Sequence, residues 1–291
     1  MQTFQNVPPL KNFVRLAGTN AQIEDELGPL AALLGTWKGS NGWNLVAVPN
    51  GAEGFLLLIQ NYTETINFTA VSAPVPNRGG TVEQMVGAVL YDLTVTDNLT
   101  GGVLHVENGM WLNLAHIEPQ QVEALEALPP PAQTIARQAS IPHGDAVLVL
   151  GNTFTSQGVP PIPDNDSTPL AGPDVPLGYL DQYLQAQTKF PDFDVKNPNA
   201  TLRKALSNQE IGKVTTFVLD SSSLLNIPFT TQHVNPNNFT TIFWVEEVTA
   251  DNTNFLQLQY TQQTNFNFLP RFGEPGLIMW PHININTLVK Q

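Results

Sequence analysis

The chain has 291 residues, 42% of them hydrophobic and only 13% charged, with a net charge of -13 and no cysteine. That length and apolar content suffice for a large core, while the acidic balance and the lack of a Lys/Arg cluster argue against nucleic acid and an anionic membrane surface as partners. Without cysteine there is no disulfide, thiolate ligand or cysteine nucleophile, so any metal or haem would be held by His, Tyr, Met or a carboxylate.

Residues 1–18 place Pro8 and Pro9 among polar residues, with no basic segment leading into an apolar run, so they do not read as a signal peptide. No apolar stretch reaches the length of a membrane span, and a cytoplasmic chain is expected. A short helix is predicted over 22–34. It runs into Leu34-Gly35-Thr36-Trp37-Lys38-Gly39-Ser40-Asn41-Gly42-Trp43-Asn44-Leu45, a strand in which glycines permit a bend or close backbone approach. Trp37 is expected at a cavity floor. Strand-like runs then follow at 36–40, 43–48, 54–61, 64–70, 83–95, 102–115, 133–141 and 146–155, rich in Val, Leu, Phe and Thr. Turn chemistry separates them, as in Pro49-Asn50-Gly51 and His143-Gly144-Asp145, and the short spacings predict antiparallel hairpins.

From Ser156 the chain becomes proline-rich, through Val159-Pro160-Pro161-Ile162-Pro163 to Pro176, which rules out a helix or a central strand. Short helical pieces are predicted at 177–189 and 200–206, and strands resume at 213–220, 240–250, 254–268 and 277–289. These last strands are too few for a barrel of their own but enough to complete the one begun earlier. The expected fold is therefore all-β: one mostly antiparallel barrel forming a single domain over 1–291. The proline-rich and helical insertion over 156–211 is expected to cover one mouth.

The segment Gly35-Thr36-Trp37-Lys38-Gly39, preceded by a short helix and followed by even hairpins, resembles the haem-binding-like β-barrel family that includes nitrobindins, similar in shape to fatty-acid-binding proteins and lipocalins. The resemblance implies an antiparallel, about ten-stranded, lipocalin-like barrel with an apolar interior. It also implies haem held through one histidine on a late strand, for which His282 in Ile278-Met279-Trp280-Pro281-His282-Ile283 stands at a comparable place, with Trp280 beside it. The chain departs from the family in its length, its insertion and the sequence after Gly39.

Strand alternation singles out polar residues that share an apolar face. Glu64 lies on the face of Tyr62, Ile66 and Phe68, where it would be a general acid or base, a wet-rim residue, or the partner of Arg78 or Arg137. Arg137, on the face of Ile135, Ala139 and Ile141, would grip a ligand carboxylate or pair with Glu64. His143 sits in a tight turn, as metal ligand, acid or base, or solvated residue. His282 is the candidate metal ligand if haem binds. His105, His116 and His233 show no zinc spacing, and Glu246-Glu247 alternates faces so that at most one side chain points inward.

No nucleophile elbow, phosphate-binding loop or dinucleotide fingerprint is present. The reading that follows is a binding protein whose cavity takes haem or another apolar, acid-bearing small molecule, with Arg137, His282, Trp37 and Trp280 around it; a homodimer is a further expectation. The alternatives are an enzyme, through haem-dependent peroxide chemistry or proton transfer by Glu64 and His143, and a structural or interaction protein with a filled barrel.

Overall fold

A computed structural model describes residues 20–71, 74–77, 82–115, 117–119, 132–170, 179–271 and 273–291. In chain order these form α1 (Asn20–Leu27), a 3-10 turn (Gly28–Leu33), β1 (Gly35–Pro49), β2 (Phe55–Ala70), β3 (Val75–Asn77), β4 (Val82–Asp97), β5 (Val103–Asn113), β6 (Ile117–Pro119), β7 (Ile135–Ile141) and β8 (Asp145–Gln157). Then come α2 (Asp181–Gln187), α3 (Ala200–Leu206), β9 (Glu210–Ser223), β10 (Leu225–Asn226), α4 (Pro228–His233), β11 (Asn235–Ala250), β12 (Thr253–Pro270) and β13 (Leu277–Lys290). Ten strands close in the order β1, β2, β4, β5, β7, β8, β9, β11, β12, β13 and back to β1, all antiparallel, with β3, β6 and β10 as short additions. Closure leaves no edge in the ring. No described helix is long and apolar enough to cross a membrane.

The runs expected at 36–40 and 43–48 are one strand with a bulge, and those at 54–61 and 64–70 are one strand too. The bulge lies in β1, where the register against β2 shifts between Gly39, opposite Glu64, and Gly42, opposite Tyr62. An extra residue in one strand switches which side chains face inward. Trp37 faces the interior before the bulge, and Asn44, Val46 and Val48 do so after it. A Cβ at Gly42 would overlap the Tyr62 ring, and one at Gly39 would strike the Thr287 carbonyl. Both glycines thus make room for close neighbours.

One end of the barrel is filled. Leu27, Leu30 and Leu33 from α1 and the 3-10 turn pack into the core that holds Trp37, Trp111, Phe217 and Leu288. The Trp37 indole Nε1 donates to the Leu33 carbonyl at 2.6 Å, tying strand to plug. The α1–turn pair ends at the glycine-initiated strand as expected, but only Asn20–Leu27 is α-helical.

The insertion, expected over one mouth, lies against the outer wall in its described residues. Leu45 and Ala47, which alternate with the inward Asn44 and Val46, cluster with Ile162, Tyr183, Phe193, Val195, Leu202 and Leu206. Trp43 stacks on Phe193 with centroids 4.2 Å apart, and Leu170 pairs by backbone with Met279. The physical reason is that this insertion carries its own apolar side chains, and the outward faces of β1, β11 and β13 offer the matching surface. The chain that reaches the open end is instead Leu224 to Pro236, including α4.

Candidate ligand-binding site

Above the plugged end lies a cavity of about 470 Å³, within the usual range for small-molecule sites. Its wall alternates apolar side chains such as Val46, Ile66, Val95, Val147 and Phe239 with a set of polar groups gathered from seven strands.

The first polar group centres on Glu64 of β2, which is 2% exposed. Its Oε2 lies 2.8 Å from the Tyr260 hydroxyl and accepts from Asn286 Nδ2 at 2.9 Å. The Tyr260 and Tyr62 hydroxyls are 2.8 Å apart, and the Tyr62 hydroxyl lies 3.0 Å from the Ile285 carbonyl. Burial pushes the Glu64 carboxyl up to about 7; hydrogen bonds from Asn286 and Tyr260 work against that rise, Glu107 adds to it and His105 opposes it. Both phenols are raised well above their usual range, first by burial and then by Glu64. Hydrogen counting agrees with a neutral acid. Three contacts join Glu64, Tyr260, Tyr62 and Ile285, the two phenols supply only two protons, and a protonated Glu64 supplies the third.

The second group is an ion pair. Arg137 Nη2 donates to Glu107 Oε1 at 2.5 Å, Nε to the Tyr91 hydroxyl at 3.0 Å and Nη1 to Gln262 Oε1 at 2.8 Å, while Tyr91 also bonds Glu107. Burial alone would raise the Glu107 carboxyl, but the Arg137 guanidinium, with His105 and Tyr91, holds it down to about 2. Burial opposes charge on Arg137 too, and Glu107 reverses that, raising it further. Arg137 therefore points inward as expected, but its carboxylate partner is Glu107, not Glu64, and its fork is already occupied. Arg78, the other expected partner for Glu64, lies outside the described residues, as does His116.

The third group is near the mouth. The rings of His105 and His143 stack with centroids 5.6 Å apart, and His105 Nε2 lies 3.3 Å from Glu107 Oε2. His143 occupies the turn between β7 and β8, where Gly144 has φ +97° and its N–H donates to the Ile141 carbonyl. Asp145 is raised by burial, with His143 and His105 opposing. Glu64 and His143 thus share a cavity, yet each is engaged with different neighbours.

His282 of β13 lines the same cavity and rests on Phe266 at 4.8 Å. Burial, then the nearby His105 and His143, push its imidazole down to about 3. Its Nε2 lies 2.8 Å from Asn44 Oδ1, which also accepts from Asn284 Nδ2, while Asn44 Nδ2 donates to Gln60. This network fixes Asn44 Oδ1 as the acceptor and so places the ring proton on Nε2. Nδ1 is enclosed and has no partner among the described residues. Nε2 carries the proton, and Nδ1, though its lone pair is unpartnered among the described residues, is enclosed by protein, so the residues as arranged do not fit an axially ligated haem. No group of three or more His, Asp or Glu suited to a metal ion occurs among the described residues.

The two tryptophans named from the sequence stand apart from the cavity. Trp37 is fully buried one layer below it, opposite Ile66. Trp280 packs against Phe55, Phe268 and Tyr179, with its Nε1 donating to the Phe268 carbonyl. Glu107 and Tyr91 escaped sequence reading because this wall is inverted. Leu90, Val106, Met110 and Leu148 point to solvent while Tyr91, Glu107 and Arg137 face in. A buried arginine with no carboxylate on its own strand was the one available signal that a partner carboxylate faced inward nearby.

No protein-family model matches the chain, and no curated protein matches it. Among solved structures it is similar to the crystal structure of Rv2717c from M. tuberculosis, at 14% identity and TM-score 0.42 over 92% of this chain and 97% of that one. A putative MaoC domain protein dehydratase from Chloroflexus aurantiacus J-10-fl aligns at 10% identity and TM-score 0.13, covering 88% of this chain and 75% of that one. Likenesses of this size establish neither family nor function.

Proposed function

We propose that the barrel binds an apolar small molecule, its hydrocarbon part against the cavity wall and one polar group at the buried hydrogen-bonding residues. The observation that carries this reading is the 470 Å³ cavity itself, closed below by the helix plug and lined mainly by apolar side chains. An interior filled by its own side chains would serve a purely structural role better, since empty apolar volume costs packing energy. The likeness of Gly35–Gly39 to nitrobindin-like barrels supports the reading at the level of shape. A haem occupant would first require His282 to leave Asn44.

The test is displacement of an apolar fluorophore. Wild-type protein is expected to bind it in a one-to-one, saturable manner, and Val147→Phe, which fills the cavity from β8, is expected to lose binding while keeping a cooperative thermal transition. Binding undiminished in a folded Val147→Phe protein would place the fluorophore elsewhere and refute the proposal.

A further inference from the structure

We infer that the polar group of the ligand is basic: the cavity is built for an apolar amine or nitrogen heterocycle, bound as a cation by Glu64 and the aromatic rings around it. This rests on the binding reading above and names its ligand class. It also departs from the acid-bearing ligand expected from Arg137.

The first support is the charge inventory of the wall. Arg137 is the one Lys or Arg among the described lining residues, and its guanidinium is committed to Glu107, Tyr91 and Gln262. An anionic ligand would have to strip Glu107 of its partner, leaving a buried charge uncompensated. The wall still holds carboxyls without an Arg or Lys partner among the described residues, Glu64 in the depth and Asp145 towards the mouth. The chain as a whole carries a charge of -13, which attracts cations and repels anions on approach.

The second support is the company Glu64 keeps. Tyr62, Tyr260, Phe239, Phe243 and Phe266 line the same space, and their faces favour a cation over an anion. The third is the hydrogen-bond chain from Glu64 through Tyr260 and Tyr62 to the Ile285 carbonyl. With Glu64 protonated all three contacts carry a proton, each hydroxyl donating onward to Ile285. With Glu64 ionised, Tyr62 turns to Tyr260 and Tyr260 to the carboxylate, which keeps the bond from Asn286, so that within this chain only the Ile285 contact loses its proton. The carboxyl can therefore release its proton to solvent when a ligand cation arrives while keeping both of its own hydrogen bonds. The groups that bear on this proton are Tyr62 on β2, Glu107 and His105 on β5, Tyr260 on β12 and Asn286 on β13.

The experiment compares decylamine, 1-decanol and decanoate by isothermal titration calorimetry, with wild type and Glu64→Gln. Decylamine is expected to bind wild type roughly ten-fold more tightly than decanol, the size of one charge-assisted contact, with decanoate weakest. Glu64→Gln retains a donor for the Tyr260 oxygen, and in it the preference for the amine over decanol is expected to vanish. Amine binding should also release protons to the buffer, increasingly so as the pH falls below 7, and decanol binding should not. That second readout needs wild-type protein alone. Tighter binding of decanoate, an amine preference that survives Glu64→Gln, or amine binding without proton release would each overturn the inference. Decanol binding without any amine preference would sink this inference and leave the binding reading standing, whereas no binding by any of the three would end both.

Discussion

The Tyr62 ring lies directly over the backbone of Gly42, in space that a side chain at that position would occupy. The contact holds the Tyr62 hydroxyl within reach of both Tyr260 and the Ile285 carbonyl. A bulge that reads in the sequence as a mere break between two strands is thus what shapes the cavity's polar end. Gly42→Ala is expected to lower stability by about 1–3 kcal/mol, the usual cost of forcing extra atoms into a packed interior. Urea unfolding should show a lower midpoint at unchanged slope, and an unaltered midpoint would show that the ring moves aside freely.

Arg137 and Glu107 neutralise each other in the cavity wall. Arg137→Met is expected to destabilise the protein by about 3–5 kcal/mol, because the carboxylate is left buried without its cation. Adding Glu107→Gln should restore a good part of that loss. Equal losses in the single and double variants, measured by denaturant unfolding, would mean that packing by the arginine stem matters more than its charge.

Glu246 offers a clean pH probe on the outer wall. It is fully buried; Gln257 donates to its Oε2 at 2.8 Å, and its Oε1 has no partner among the described residues. Burial raises its carboxyl from the ordinary 4.5 to about 7, with the Gln257 bond opposing. A raised acid binds its proton more tightly in the fold than in the unfolded chain, so its contribution is fully present below about pH 4.5 and is lost as pH rises through about 7. Between those limits wild type should lose about 3 kcal/mol relative to Glu246→Gln. A difference independent of pH would show that the carboxyl is not buried as described.

For His282 the sign is opposite. Its imidazole, lowered from 6.5 to about 3 by burial first, adds stability that is complete above about pH 6.5 and fades as pH falls towards 3. His282→Gln is expected to be less stable than wild type at pH 7 and to lose that deficit on acidification. Hemin added at pH 7 is expected to give no Soret band that depends on His282, because Nε2 is held by Asn44. A band present in wild type and in His143→Ala, but absent in His282→Ala, would show that the ring swings free and that haem does bind.

Much of the architecture was legible in the residues. The strand runs, the glycine-flanked Trp37 and the turn at His143-Gly144-Asp145 are local signals that led to one antiparallel barrel, and the family resemblance implied about ten strands, as observed. Alternation also placed Glu64 and Arg137 on the inner face correctly, because in both segments they share parity with isoleucines that face in. It failed for Glu107, whose neighbours Val106 and Met110 are outward-facing hydrophobics. The pairing of Arg137 with Glu107 spans 30 residues and depends on the β5–β7 register, which neither strand specifies alone.

Taken by itself, the sequence determined the fold class, the absence of cysteine chemistry, the acidic character of the chain and the inward direction of its key carboxylate and guanidinium. These follow from composition and from the two-residue period of a strand, which every short segment carries within itself. Only the tertiary structure decided which charges cancel, that His282 is held by Asn44, that the described part of the insertion lies against the outer wall, and that Glu64 lines the cavity with aromatic rings and has no Lys or Arg partner among the described residues. Those outcomes depend on strand register and on closure of the ring, which bring together residues such as Glu64 and Tyr260, 196 positions apart.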